Sequence, residues 1–378
     1  MKNIVYLDNS ATTKPCELSV QYMNKALIDN WGNPSSLHTI GINAEELLFS
    51  AKEVCAKAIS CRSDEIYFTS GGTESNNIAI NGAVLSRAKR GNRIVTTTIE
   101  HPSVLEPIKS LEQKGFEVIY LEPEENGVIS FKSLENAINK STIFVSMMLV
   151  NNEIGSIQPV RDAANIIKSV GAPALLHCDA VQAFGKINIK ISELGVDLLS
   201  FSGHKIHAPK GIGVLYKKKG VAISPLVYGG GQQDALRPGT ESVPTISALE
   251  GAIRAIPNIK EAYEQIQKLN DYAKDKLKST GIVEFNSPSN ALPYILNISV
   301  PGYRSETLLH FLDAKGIFVS SGSACSKGKL SHTLSALKLD TKRIDSALRI
   351  SFSRENSFDD IDKLCDALSE AAKKLKRA

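Results

Sequence analysis

Two apolar runs of strand length constrain the chain most, because each ends in a residue able to do chemistry. Ala174–Cys178 runs directly into Asp179, and Val196–Phe201 runs into Ser202-Gly203-His204-Lys205. Short, continuously apolar runs bounded by polar turns read as strands buried on both faces, the kind found in a parallel sheet covered by helices. The ends of such strands are where an open α/β sheet binds ligands. The rest of the first two thirds agrees. Strands are expected at Glu65–Thr69, Arg93–Thr97, Glu117–Leu121, Thr142–Val150 and Gly211–Tyr216. They alternate with helical patterns over 16–30, Ala44–Ala58, Val104–Lys114, 131–139 and 160–170, which predicts a mainly parallel sheet.

From about residue 257 the texture changes. A charged helix over 259–279 is followed by antiparallel strands near Val283–Phe285 and Tyr294–Val300. A helix at 305–315, a strand at 317–319 and a terminal helix over 358–377 complete the chain. The 378 residues are expected to divide into a large α/β domain, 15–256, and a smaller α+β domain built from 1–14 and 257–378.

A net charge of +4 is too slight to argue for direct nucleic-acid binding, and no apolar run approaches the ~18 residues needed to cross a bilayer. Met1-Lys2-Asn3 leads straight into a strand-like Ile4–Leu7 without a leader pattern, and the six cysteines form no CxxC pair. A reduced, cytoplasmic protein without membrane association is expected.

A lysine on one such strand end and an aspartate on another, 26 residues apart in sequence, suit pyridoxal phosphate. The amine of Lys205 would form the Schiff base, and the carboxylate of Asp179 would keep the pyridine nitrogen protonated. Ser70-Gly71-Gly72-Thr73-Glu74 joins a strand to a helix. Exposed N–H groups at a helix N-terminus bind phosphate, although alone the stretch reads as a capped helix with Thr73 as N-cap. His101 follows a strand and could stack on a planar ring or carry protons. His204 and His207, or His177-Cys178-Asp179, lack further ligands at sensible spacing, so no metal site is expected. Cys325, in Ser321-Gly322-Ser323-Ala324-Cys325-Ser326-Lys327, has the polar, basic surroundings of a reactive thiol; Cys55, Cys178 and Cys365 have apolar ones. Arg349, inside an apolar run, requires an anion, either a substrate carboxylate or an internal salt bridge.

Taken together these stretches resemble the cysteine desulfurases, pyridoxal phosphate enzymes of the class V aminotransferase group. The resemblance also rests on Tyr6–Thr13, Asn33–His38, Asn151–Gly155, Asp179-Ala180-Val181-Gln182 and Arg237-Pro238-Gly239-Thr240, and it spans nearly the whole chain. Ser10 stands where alanine is common, and Ser242 where asparagine is. The resemblance implies a type I aspartate-aminotransferase-like fold and a homodimer with active sites at the subunit interface. It implies conversion of L-cysteine and an enzyme thiol to L-alanine and an enzyme persulfide. The sulfur would pass to an acceptor protein, such as an iron–sulfur scaffold or a tRNA-thiolation protein. By position it implies Lys205 and Asp179 in the roles above, and His101 stacked on the ring and shuttling protons. Gln182 would contact the ring hydroxyl, with Asn152 near ring and substrate. Gly72, Thr73, Ser202 and His204 would hold the phosphate, joined by Thr240 of the other subunit. Arg349 would bind the substrate carboxylate, and Cys325 would accept sulfur. A selenocysteine lyase or another class V aminotransferase would share the cofactor residues; the cysteine-bearing stretch speaks against the aminotransferase. A catalytically silent scaffold in a sulfur-transfer complex would have no use for Lys205 and Asp179.

Overall fold

The structure, a computed structural model, describes residues 4–321 and 330–377. Its strands are β1 (Val5–Tyr6), β2 (Ile66–Thr69), β3 (Arg93–Thr97), β4 (Glu117–Leu121), β5 (Thr142–Ser146), β6 (Leu175–Asp179), β7 (Leu198–Ser202), β8 (Gly213–Lys217), β9 (Glu284–Phe285), β10 (Ile295–Ser299), β11 (Ile317–Phe318) and β12 (Ala347–Ser351). Seven form the central sheet, in the order β2-β8-β7-β6-β5-β3-β4. Only β8 runs against the others, pairing antiparallel with β7 and β2. Every residue of β5, β6 and β7 is buried, as expected of strands covered on both faces. The expected α/β class with a mainly parallel sheet is therefore what forms.

Helices follow the amphipathic segments closely. Val160–Val170 and Ile259–Ser279 form over the spans that periodicity predicts. The helix expected from Ala44 begins earlier, at Thr39, because the His38 imidazole caps it by accepting from the Gly41 N–H at 3.2 Å. The strand expected over Thr142–Val150 ends at Ser146. Met147–Val150 stay buried but leave the regular ladder, and Val150 instead bridges Ile157 across a tight turn. Among the described residues no helix is long and apolar enough to cross a membrane.

In the last third β10 lies between β12 and β9, antiparallel to both. The N-terminal segment crosses to this part of the molecule. β1 pairs in parallel with β11, and Asp8 bridges Ser351 at the end of β12. One apolar cluster runs without a break from β6 and β7 into β10 and β12. The C-terminal ends of β6 and β7, the N-terminal segment and β12 thus meet on one rigid frame.

Candidate active site

Lys205 follows β7 on a single short turn, Gly203–Lys205. Gly203 makes that turn possible, since a Cβ there would stand 2.8 Å from Ile212 Cγ2. The Lys205 ammonium donates to the carbonyl oxygens of Ser10 (2.6 Å) and Ala11 (2.7 Å), tying the N-terminal segment to the sheet. Asp179 closes the neighbouring β6 and is 5% exposed. Its Oδ1 accepts from the Val181 N–H at 2.9 Å and its Oδ2 from Asn76 Nδ2 at 2.8 Å.

Asn76 is part of a longer chain of hydrogen bonds. Its Nδ2 also donates to Ser103 Oγ at 2.9 Å, and that hydroxyl lies 2.8 Å from His101 Nδ1. The Ser103 N–H donates to the same ring nitrogen at 3.1 Å. Asp179 and His101, 78 positions apart, are oriented by one network. Burial holds the His101 pKa below its ordinary value; Asp179 opposes this, and Lys205 and His332 reinforce it.

A cavity of about 450 Å³ opens between these residues. Lys205, Asp179, His101, Gln182 and Asn152 line it, as do Gly72, Thr73, Ser202, His204 and Arg349. All ten are candidate site residues from the sequence and its resemblance. Thr240 is exposed and is not part of this lining. Cys325 lies outside the described residues. The expected apolar cysteines, Cys55, Cys178 and Cys365, are buried, and burial pushes the Cys365 thiol up to about 11.

The junction after β2 differs in detail from the expected cap. Gly71 is the N-cap and the helix starts at Gly72, so Thr73 sits in its first turn. A Cβ at Gly72 would come within 2.8 Å of Val181 Cγ2, and glycine keeps the helix end open to the cavity. Next to it His204 is held down to about 4 by burial and the Lys205 and Lys210 charges. It meets the cavity as a neutral ring, 3.2 Å from Thr12 Oγ1.

Gln182 has its amide fixed from both sides. Nε2 donates to the Ser10 carbonyl at 3.0 Å, and Oε1 accepts from the buried Lys186 ammonium at 3.0 Å. Arg349 is held by an internal pair, one of the two alternatives its sequence context leaves open. Nη2 lies 3.0 Å from Asp8 Oδ1 and Nη1 donates to the Asn152 carbonyl at 3.0 Å. Burial raises the Asp8 pKa, and Arg349 opposes the rise.

Five residues that complete the site, Asp8, Asn76, Ser103, Ser331 and His332, have no role assigned from the sequence. Asn76 carried a usable signal, being four positions beyond Gly72 and so on the same helical face. Ser103 is two positions from its partner His101, whereas Asp8, Ser331 and His332 are joined to Arg349, Glu153 and Glu100 only through the tertiary fold.

The residues fit pyridoxal phosphate. An open, glycine-lined helix N-terminus beside Ser202 and a neutral His204 suits a phosphate dianion. The hydrogen-bonded Asp179 carboxylate suits a protonated pyridine nitrogen, and Lys205 an aldehyde.

Comparison with known proteins agrees over the whole length. Residues 5–364 match the aminotransferase class-V family. A cysteine desulfurase IscS of Dictyoglomus turgidum is 40% identical, with 100% of this chain and 96% of the relative covered. One of Methanosarcina thermophila is 40% identical over 98% of this chain and 93% of the relative. Among solved structures, a NifS-like protein superposes with a TM-score of 0.93 at 37% identity, covering 99% of this chain and 100% of the other. With the family match spanning most of the chain and the strand-end lysine and aspartate sharing one cavity, the chain belongs to the class-V aminotransferases.

Proposed function

We propose that the chain is a pyridoxal phosphate-dependent cysteine desulfurase, converting L-cysteine and the thiol of Cys325 to L-alanine and a Cys325 persulfide. The observation that carries this reading is Lys205 and a hydrogen-bonded, buried Asp179 on adjacent strand ends, sharing a cavity with Arg349. Pyridoxal phosphate, when bound, supplies a ring that stabilises negative charge at an amino acid's α-carbon.

Lys205 would anchor the aldehyde end, Asp179 the pyridine nitrogen, and Gly72, Thr73, Ser202 and His204 the phosphate. Gln182 and Asn152 would orient the ring, with His101 stacked against it and moving protons. Arg349, pre-positioned by Asp8 and the Asn152 carbonyl, would bind the substrate carboxylate through its planar fork. Cys325 would attack the substrate sulfur as a thiolate.

The proposal extends to a homodimer in which Thr240 completes the partner's phosphate site. Support comes from an exposed apolar surface on and between the helices Glu17–Asp29 and Thr39–Ile59, where Leu37 is 95%, Ile28 72% and Trp31 70% exposed. A large domain over 15–256, a small one from 1–14 and 257–378, a cytoplasmic location and sulfur delivery to an iron–sulfur scaffold or tRNA-thiolation protein complete it.

The test is direct. The purified protein should be yellow and should release alanine from L-cysteine with sulfur retained on the peptide containing Cys325. A colourless protein that releases no alanine after addition of pyridoxal phosphate overturns the reading.

A further inference from the structure

A second imidazole shares the cavity with His101. His332 opens the helix His332–Ala336, directly after its N-cap Ser331. Ser331 Oγ donates to the buried Glu153 Oε2 at 2.5 Å and accepts from the Leu334 N–H at 3.0 Å, which pins the backbone here. The ring is pinned as well, with Nε2 2.9 Å from the carbonyl oxygen of Glu100. A carbonyl only accepts, so Nε2 carries a proton, and in the neutral ring Nδ1 is left with a lone pair.

His101 is arranged the other way round. Its Nδ1 accepts from the Ser103 N–H, so the neutral ring carries its proton on Nε2. The nitrogen left over by these bonds is a donor in His101 and an acceptor in His332. Among the described residues, the charged and titratable groups around His332 in the cavity are His101, Glu153, Asp179, His204, Lys205 and Arg349, with Glu100 behind the ring. Burial works against charge on both His101 and Glu153.

An amino acid entering at neutral pH brings a carboxylate and an ammonium. Arg349 suits the first, but the second is not nucleophilic until it loses a proton, and the remaining His101 nitrogen cannot take one. We propose that His332 is a catalytic base for substrate entry. Its Nδ1 takes a proton from the ammonium of L-cysteine: an N–H bond of the substrate breaks, an Nδ1–H bond forms, and the amine keeps the electron pair. The imidazolium returns that proton to the amine of departing alanine, so the ring ends each turnover neutral. This step rests on the desulfurase reading above.

The experiment is a pH series of alanine release by the cofactor-loaded enzyme and its H332Q variant. Glutamine can still donate to the Glu100 carbonyl but supplies no base. The expected result is a kcat/KM for L-cysteine lowered about 100-fold at pH 7, the scale of general-base catalysis. The deficit should shrink as pH rises and more of the free amino acid is already deprotonated. A loss equal at every pH would make His332 a positioning residue and overturn the proposal, as would no loss. The ring ¹⁵N shifts of the wild-type enzyme, assigned with H332Q, should show Nε2 protonated and Nδ1 bare; a proton on Nδ1 of the neutral ring overturns it independently. A wild type that releases no alanine removes the desulfurase reading and this step together. Failure of the step alone shows as an active wild type with an equally active variant.

Discussion

Replacing Glu100 with glutamine should stabilise the protein at alkaline pH and do little at acid pH. The carboxyl is wholly buried; Oε1 accepts from Thr97 Oγ1 at 2.9 Å and from the Met148 N–H at 2.7 Å, while Oε2 has no partner among the described residues. Burial above all, with repulsion from Asp179 added, pushes its pKa from 4.5 up to about 8. Below pH 4.5 folded and unfolded chains both keep this proton, and the group's full contribution to stability is present. Between 4.5 and 8 the folded chain holds a proton that the unfolded chain has released, so stability falls by about 1.4 kcal/mol per pH unit. Across the window the loss is roughly 4–5 kcal/mol, comparable with the whole stability of many domains. Glutamine has the shape of the protonated acid, keeps the Oε1 acceptor and cannot ionise. Urea denaturation of both proteins in the same cofactor state, at steps from pH 5 to pH 8, reads the effect. The gap in unfolding free energy should open from under about 1 kcal/mol at pH 5 to several at pH 8 in favour of E100Q. A gap that does not change with pH, or a variant less stable at pH 8, would refute the placement of Glu100 as a buried, proton-holding acid.

Three further outcomes follow from the proposed function. Lys205→Ala should abolish the cofactor's lysine-dependent absorbance and borohydride-trapped adduct. In the cofactor-free protein it should also cost about 2–4 kcal/mol, through the charge-assisted bonds to the Ser10 and Ala11 carbonyls, read as a lowered denaturation midpoint. Cys325→Ser should bind pyridoxal phosphate normally and still change its spectrum with L-cysteine, yet release no alanine, because a hydroxyl is too weak a nucleophile at neutral pH. Mixing Thr240→Ala chains with Lys205→Ala chains should restore activity, because heterodimers then hold one site with both defects and one with neither; proven subunit exchange without recovery would count against the shared site.

Much of the frame was legible because burial pattern and chemistry coincide in the sequence. The apolar runs ending at Asp179 and Lys205 are strands buried on both faces, and a strand end leaves a side chain few directions to take. Arg349 announced itself as a cation within an apolar run, which must have an anion, and the structure supplies Asp8, 341 positions away. That partner could not be read, since nothing local to either residue refers to the other. The same holds for Asn76 between Asp179 and Ser103, and for His332, whose bond to the Glu100 carbonyl depends on the fold bringing residue 332 beside residue 100. The misplaced cap at Thr73 has another cause. Hydroxyl side chains are favoured N-caps, but close packing against Val181 selects glycine at 72, and the helix starts two residues sooner.

The N-terminal segment has a consequence for how this protein is made. Val5 finds its strand partner at Ile317 and the Ser10 N–H its acceptor in the Ser351 hydroxyl, whereas the Ser10 and Ala11 carbonyls meet Lys205 much earlier in the chain. Val5 and Ser10 are therefore fully seated only after Ile317 and Ser351 have been made. At ~5–20 residues per second, some 340 residues of further synthesis separate Ser10 from Ser351, roughly 20–70 seconds during which the segment can reach Gln182 and Lys205 but not its partners in the last third. The seven-stranded sheet can assemble in the meantime, since its strands all lie between residues 66 and 217. The nascent chain would then carry a formed sheet whose binding cleft still lacks Arg349 and the strand that seats β1, and ligand capture would wait until residues 317–351 are made.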